Sequence, residues 1–192
     1  MHRFLLVRHA APLDGPDPGL SEAGEPMAEA LARRLADVPI DVAWSSDLKR
    51  AAETAAILLG ARQAPIPLQV TPLLREVEMP PSVADPDYPE REKEVLAGAL
   101  RNITAWDGLV RTQLGIPSSA DRTILVVAHA GLLRVLICFL LGLPVDYQWR
   151  FLLDWAGLTV VDRGDDMGTL TLLNDRCHLL GDGGQGMGDG EG

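Results

Sequence analysis

Two histidines in this sequence directly follow short apolar runs, at points where a buried strand would end. Arg8 and His9 come after the run Phe4–Val7, and His129 comes after Thr123–Ala128. An imidazole has an ordinary pKa of ~6.5, so near pH 7 it offers a neutral nitrogen that can attack an electrophile or accept a proton. The two histidines are therefore candidates for nucleophilic or acid–base chemistry.

Two more charged side chains are expected at the same edge of the molecule. Arg50 lies shortly after the strand candidate Val42–Trp44, and Glu76 follows the strand candidate Leu68–Val70. Guanidinium groups match the oxygens of a phosphoryl group, and a carboxylic acid can protonate a leaving alkoxide and later activate water. Because phosphoryl transfer depends mainly on positioning and electrostatic stabilisation, this set of residues predicts a phosphoryl-transfer site.

The elements that must position these residues alternate along the chain. Helices are predicted after an N-cap at Ser21, over Leu48–Leu59, from Glu90 to Leu114 with breaks near Gly98 and Gly108, and over Gly131–Leu141. Three further strands are predicted at Phe151–Asp154, Leu158–Asp162 and Thr169–Leu173. Such alternation predicts a three-layer αβα sandwich with a mostly parallel central sheet, and ligands bind such sheets at the carboxyl ends of the strands.

The chain is expected to form one catalytic domain over residues 1–180. The proline-rich stretch Met79–Pro89 predicts an irregular excursion, so an irregular and potentially lid-forming insertion is expected at about 77–115. The Gly- and Asp-rich segment 181–192 predicts a flexible tail.

The composition excludes several classes of protein. A net charge of −10 argues against a nucleic-acid-binding protein and against docking on an anionic membrane. The apolar runs are too short for a membrane span, and no secretory signal is recognised, which predicts a cytoplasmic protein. Two cysteines cannot build a disulfide framework, and no metal-ligand spacing stands out, so neither metal nor cofactor is expected.

Five short segments carry a specific combination of motifs. They are Leu5–Ala10, Gly19–Gly24, Ser45–Ala55, Leu74–Glu76 and Val127–Gly131. The combination resembles the signature of the histidine phosphatase (phosphoglycerate mutase-like) superfamily, and the resemblance covers nearly the whole chain. It implies the phosphoglycerate mutase-like version of the αβα sandwich.

The resemblance also implies a role for each residue of the candidate site. His9 would form a phosphohistidine, and Glu76 would donate a proton and then act as general base. The phosphoryl oxygens would be held by the side chains of Arg8, Arg50 and His129 and by the backbone N–H of Ala130. The family requires no metal. Arg134, about a turn beyond His129, is interpreted as a residue that braces its helix.

The sequence departs from the family pattern in two ways. Alanine replaces glycine at Ala10 and Ala130, and the stretch after Glu76 lacks the pattern of many members. The second departure makes Glu78 a rival for the role of acid. It also leaves the lid and the substrate open.

The residues favour a phosphomonoesterase that acts on a small phosphorylated metabolite or a phosphoprotein. The chain is short for a phosphoglycerate mutase, which needs extra segments to retain an intermediate and exclude water. A mutase-type phosphotransferase and a non-catalytic phosphate-recognition module nevertheless stay open as alternatives. The sequence determines neither the organic part of the substrate nor the oligomeric state.

Overall fold

Six strands form one central sheet in the computed structural model, which describes residues 1–79, 86–115, 120–164 and 167–180. The strands are β1 (His2–Arg8), β2 (Val42–Ser46), β3 (Leu68–Thr71), β4 (Arg122–Ala128), β5 (Leu158–Arg163) and β6 (Gly168–Asp175). Their order is β3-β2-β4-β1-β5-β6, and β5 runs antiparallel to both of its neighbours. The other neighbouring pairs are parallel, so the sheet is mostly parallel as predicted.

Helices cover both faces of this sheet. They are α1 (Gly24–Leu35), α2 (Lys49–Gly60), α3 (Tyr88–Leu114) and α4 (Ala130–Leu141). Because side chains alternate along a strand, Phe4 and Leu6 pack with α3 and α4 in one core, and Leu5 and Val7 pack with α1 and α2 in another. The predicted three-layer αβα sandwich is confirmed.

The predicted strand at Phe151–Asp154 is wrong, because this segment is an extended connection outside the sheet. Neither edge of β5, the next strand along the chain, is open to it, because β5 pairs with β1 on one side and with β6 on the other. The carbonyl of Leu153 instead accepts a hydrogen bond from the Arg8 guanidinium at 2.7 Å.

The first helix begins at Gly24, two residues later than an N-cap at Ser21 implies. The Ser21 hydroxyl still accepts a hydrogen bond from the Gly24 N–H at 3.2 Å, but it does so from a turn. It also donates to the carbonyl of Ala11, which ties this turn to the loop after β1.

The predicted breaks near Gly98 and Gly108 are absent, since α3 continues through both positions for 27 residues. One face of the helix is buried along its length, through Leu96, Ala99, Ile103, Trp106 and Val110. Burial of this face outweighs the low helix propensity of two glycines. The part of the expected insertion from 88 to 114 is therefore regular. Residues 80–85 and the expected tail at 181–192 lie outside the described residues, so the lid stays a prediction.

Long helices raise the question of membrane insertion, and α3 is the longest here. Neither α3 nor any other helix in the described part of the chain combines the length and apolarity needed to cross a bilayer.

Candidate active site

His9 and His129 lie side by side at the carboxyl edge of the sheet, where β1 and β4 end as parallel neighbours. The His9 N–H donates to the carbonyl of Ala128 at 2.9 Å, which continues the pairing of the two strands by one residue. The two imidazole centroids are 5.1 Å apart, with 4% of His9 and none of His129 exposed. The structure thus brings together the two histidines that the sequence singles out.

The hydrogen bonds of His9 determine which ring nitrogen is available for chemistry. Nδ1 lies 2.8 Å from the carbonyl oxygen of Ala10, and because a carbonyl can only accept, Nδ1 carries the proton. Nε2 therefore bears the lone pair, and it accepts a hydrogen bond from Arg50 Nε at 3.2 Å. The nitrogen available to attack phosphorus is thus Nε2, with a guanidinium directly beside it.

Thr54 fixes the loop that carries His9, a function that sequence reasoning missed. Its hydroxyl accepts from the N–H of Ala10 at 3.1 Å and donates to the carbonyl of Arg50 at 2.7 Å. Thr54 is fully buried, and its position within the Ser45–Ala55 motif was the available signal. One side chain therefore links the loop that carries His9 to Arg50 on α2.

Ser46 is a second residue that sequence reasoning missed, and it positions His129. Its Oγ lies 2.9 Å from His129 Nε2 and accepts from the Leu48 N–H at 3.3 Å. If the hydroxyl donates to Nε2, the ring proton is left on Nδ1, a buried atom that has no hydrogen-bond partner among the described residues. His129 can then donate from Nδ1 to a bound group.

Arg8 reaches the site from the end of β1 and is anchored at its far side. Its guanidinium donates to Leu153, as described above, and stacks on the ring of Trp155 at 5.5 Å from the centroid. Its Nε is buried and without a partner in the ranges that the structure describes. Burial lowers the pKa of Arg8; the charges of Glu76 and Asp154 oppose this shift, and those of Arg134 and Arg50 reinforce it. Arg8 is therefore a cation held in place, and its Nε–H can still donate a hydrogen bond to a bound group.

Glu76 lies against the first turn of α4. Its Oε1 accepts from the N–H of Val77 at 2.9 Å and of Leu132 at 3.2 Å. A Cβ at Gly131 would lie 2.7 Å from the same oxygen, so the absence of a side chain there lets the carboxylate approach the helix. Two backbone donors thus hold one oxygen and leave Oε2 for proton transfer.

Glu78, the rival for the acid, is exposed and lines the same surface cavity of about 390 Å³ as Glu76. Within the described part of the chain nothing donates a hydrogen bond to its carboxylate. The geometry favours Glu76, which is held in place beside the helix that follows His129.

Ala130 opens α4, with His129 in the N-cap position. The first N–H groups of a helix lack partners within the helix and carry partial positive charge, so they favour anions. The place of the Ala130 N–H in this first turn supports the expected phosphate contact, which stays a prediction. Alanine in place of the family's glycine is accommodated there with a half-buried side chain.

Metal ligation would be an alternative use of such side chains. Among residues 1–79, 86–115, 120–164 and 167–180, no group of three or more His, Cys, Asp and Glu side chains is arranged to hold a metal ion.

Both histidines are neutral in the folded protein at neutral pH. Burial lowers the pKa of His9 from 6.5 to about 4; the hydrogen bond to Ala10 opposes this, and the charges of Arg50 and Arg8 reinforce it. Burial, with repulsion from His9 and both arginines, lowers the pKa of His129 to about 2. A neutral His9 is the form that can act as a nucleophile.

This predicts that neither His9 nor His129 titrates between about pH 5 and 8 in the free protein, in contrast to an ordinary histidine. The imidazole nitrogen chemical shifts, followed by NMR and assigned with His9→Ala and His129→Ala, measure this directly. The unfolded chain takes up protons below its pKa of ~6.5 while the folded protein does not, so we also expect stability to fall from about pH 6.5 downwards. A midpoint near 6.5 for either ring would contradict the prediction.

A comparison with protein-family models matches residues 4–176 to the histidine phosphatase superfamily (branch 1). The chain belongs to the histidine phosphatase superfamily. The match spans every element from β1 to β6, so the resemblance noted in the sequence is confirmed.

Curated relatives of this histidine phosphatase superfamily member are phosphatases. The chain is 29% identical over 207 residues to the adenosylcobalamin/alpha-ribazole phosphatase of Escherichia coli K12, covering 91% of this chain and 97% of that protein. It is also 29% identical over 203 residues to the putative phosphoserine phosphatase 2 of Hydrogenobacter thermophilus, covering 93% and 98%. The chain therefore matches these phosphatases over almost their full length.

Solved structures share the fold of this superfamily member. A putative alpha-ribazole-5'-P phosphatase from Escherichia coli K-12 superposes with a TM-score of 0.72 at 24% identity, covering 91% of this chain and 96% of that one. A phosphoserine phosphatase from Entamoeba histolytica, solved with phosphoserine, superposes with a TM-score of 0.74 at 19% identity, covering 93% and 100%. At these identities the likeness establishes the fold alone.

Proposed function

We propose that this protein is a phosphomonoesterase that forms a phosphohistidine on His9 and requires no metal. The observation that carries the proposal is the Nε2 of His9: Nδ1–H donation to Ala10 leaves the lone pair on this nitrogen, and the Arg50 guanidinium donates to it. Membership of the superfamily and the phosphatase relatives support the same reaction.

In the first step, His9 Nε2 attacks phosphorus and the bond from phosphorus to the ester oxygen breaks. Arg8, Arg50 and His129 stabilise the charge on the equatorial oxygens. Arg8 Nε and His129 Nδ1 have no hydrogen-bond partner among the described residues, and Arg50 lies directly beside the attacking nitrogen. The leaving alkoxide takes the proton of Glu76 and departs as an alcohol. The products of this step are a phosphohistidine and a Glu76 carboxylate.

In the second step, water attacks phosphorus and the bond to Nε2 breaks. Glu76 accepts the proton of the attacking water, which returns the carboxyl group to its starting state. Inorganic phosphate leaves, and His9 recovers its lone pair with the proton still on Nδ1, where Ala10 holds it. One carboxyl group thus serves both half-reactions.

The relatives support a small phosphorylated metabolite as the substrate class. A phosphoprotein substrate and a cytoplasmic location stay predictions. No specific feature of the described residues favours the mutase-type transferase or a non-catalytic module. Both become outcomes of the experiment below.

The experiment is to trap the phosphoenzyme. We expect the protein to hydrolyse p-nitrophenyl phosphate in the presence of EDTA and, after a rapid acid-free quench in denaturant, to carry an acid-labile, base-stable phosphate. Peptide mapping should place this phosphate on His9. A phosphoenzyme that passes its phosphate to an added sugar acid faster than to water would favour a mutase. Saturable phosphate binding without turnover would favour a recognition module.

A further inference from the structure

The segment 153–157 holds the end of β1, from which the side chains of Arg8 and His9 enter the site. The N–H of Ala156 donates to the carbonyl oxygens of both residues, at 3.1 Å for Arg8 and 3.2 Å for His9. The N–H of Arg8 donates to the carbonyl of Gly157 at 3.4 Å. With the contacts of the Arg8 guanidinium described above, the segment fixes both the main chain and the side chain of Arg8.

Ala156 has a backbone conformation that the surrounding fold must enforce. Its φ is +54°, in the left-handed region that residues other than glycine rarely adopt. Such a conformation costs free energy and persists only where the contacts around it determine it. The place of the Ala156 N–H beside β1 therefore depends on what holds its neighbours in the segment.

Asn174, near the end of β6, holds the segment through Asp154. Its Oδ1 accepts a hydrogen bond from the N–H of Asp154 at 2.7 Å, and its Nδ2 donates to Oδ2 of the same residue at 2.9 Å. A Cβ at Gly157 would overlap Asn174 Oδ1, so the absence of a side chain there lets the amide approach the segment. One amide thus binds both the main chain and the side chain of Asp154.

The backbone of Asn174 is held as firmly as its side chain. Its N–H donates to the hydroxyl of Thr159 in β5 at 3.0 Å, and Thr159 is buried. The φ of Asn174 is +48°, and asparagine adopts this region more readily than most residues. Residue type, backbone conformation and both amide hydrogen bonds therefore match one another at this position.

We propose that Asn174 is a positioning residue for phosphoryl transfer, acting through Asp154 on the segment 153–157. The segment then aims the Arg8 guanidinium and holds the main chain of His9. This inference rests on the proposed function of the site. A displacement of about 1 Å at reacting groups can cost on the order of 100-fold in rate, so loosening of this segment should be measurable in the kinetics.

The first test is Asn174→Gly, which keeps access to the left-handed backbone and removes the amide. We expect kcat/KM for p-nitrophenyl phosphate to fall roughly 10- to 100-fold, because Arg8 and His9 are no longer held in register. The Kd for inorganic phosphate should rise about 10-fold, because an aimed guanidinium binds phosphate better than a mobile one. Both constants are measured well below the unfolding temperature of each variant. If Asn174→Gly does not fold, Asp154→Ala, which removes only the acceptor of Nδ2, takes its place.

Arg62→Met is the matched control for a loss of two hydrogen bonds. The guanidinium of Arg62 donates to the carbonyls of Leu35 and Val38, which lie at and just beyond the end of α1. This contact is at the opposite edge of the sheet from the candidate site. The variant should lower the unfolding temperature and leave kcat/KM and the phosphate Kd at their wild-type values.

A pair of exchanged side chains tests the contact itself. Asn174→Asp places two carboxylates against each other and should lower kcat/KM at least as much as Asn174→Gly does. Asp154→Asn in the same chain restores an amide facing a carboxylate, with donor and acceptor exchanged. We expect this double variant to recover kcat/KM to within about five-fold of wild type, as coupled neighbours do.

A second pair of variants tests whether the effect passes through Arg8. Arg8→Ala should weaken phosphate binding by itself. Asn174→Gly should then change the phosphate Kd less than about two-fold in the Arg8→Ala background, because there is no guanidinium left to aim. Additive losses in the two single variants and their combination would contradict this route.

Wild-type kcat/KM and phosphate affinity in Asn174→Gly, with only a lower unfolding temperature, would overturn the proposal and leave a structural role. Failure of the exchanged pair to recover activity would overturn the role of the contact with Asp154. Absence of turnover by the wild type would contradict the proposed function instead, and the phosphate titrations would still decide the role of Asn174. Absence of phosphate binding as well would overturn both.

Discussion

Replacement of His9 by alanine is expected to reduce kcat for phosphomonoester hydrolysis by at least about 10⁴-fold. The change removes Nε2, the only ring nitrogen of His9 that carries a lone pair in the folded protein. His129 cannot substitute for it, because its Nε2 is engaged with Ser46. Steady-state kinetics with an aryl phosphate in EDTA measure the loss.

The same variant should still bind phosphate, since Arg8, Arg50 and His129 remain. Equilibrium titration with inorganic phosphate is therefore expected to give saturable binding, which separates loss of the nucleophile from loss of the site. His2→Ala is the matched control, because His2 lies at the other end of β1. A His9→Ala enzyme that hydrolyses the ester at more than a hundredth of the wild-type rate would sink the proposal of a nucleophilic histidine.

The second large effect is expected for Glu76→Gln, which should lower kcat for alkyl phosphates by about 10²- to 10⁴-fold. Glutamine keeps an oxygen that can accept from Val77 and Leu132, but it can neither donate the proton to the alkoxide nor accept one from water. The loss should be smaller in the first step for aryl phosphates, whose leaving groups need little protonation. A burst of nitrophenol followed by slow turnover would indicate that the phosphoenzyme forms quickly and accumulates before water attacks it.

Glu78→Gln is the matched control for the acid, and its kcat is expected to stay within about three-fold of wild type.

Gly131→Ala tests whether the position of the Glu76 carboxylate matters. Its new Cβ would lie 2.7 Å from Glu76 Oε1, the mobile end of a side chain, so the carboxylate should shift while the fold persists. We expect kcat for Gly131→Ala to lie between the values for wild type and Glu76→Gln. A large loss in Glu78→Gln with none in Glu76→Gln would reverse the assignment.

Much of the site could be predicted because it follows from strand ends. His9 and His129 each come directly after a continuous apolar run, and such runs become neighbouring buried strands in a parallel sheet. The carboxyl ends of these two strands then meet at one edge of the sheet, independently of the conformation of the loops. The position of Arg50 followed from the motif around it, which lies at the end of β2 and the start of α2.

The sequence prediction was wrong where contacts between distant segments determine secondary structure. Phe151–Asp154 has the apolar character of a strand, but the neighbouring strand β5 already pairs with β1 and β6 and has no edge left for it. Gly98 and Gly108 lower local helix propensity, but the buried face of α3 holds the helix continuous against the sheet. The hydrophobic pattern of a segment cannot predict either effect, because both depend on the tertiary neighbours against which the segment packs.

The sequence by itself determined the residue types of the site, the αβα architecture and the superfamily. Those features depend on periodicity and on motifs that are short in sequence. Only the tertiary structure decided the tautomer of His9, the contacts of Ser46 and Thr54 and the backbone hydrogen bonds that hold Glu76. The tautomer of His9 depends on a loop conformation that brings Nδ1 to the carbonyl of the adjacent Ala10. The hydrogen bonds between Ser46 and His129, between Thr54 and Ala10 and between Glu76 and Leu132 join groups tens of residues apart. Such pairings are determined by how the layers pack and leave no trace in local pattern.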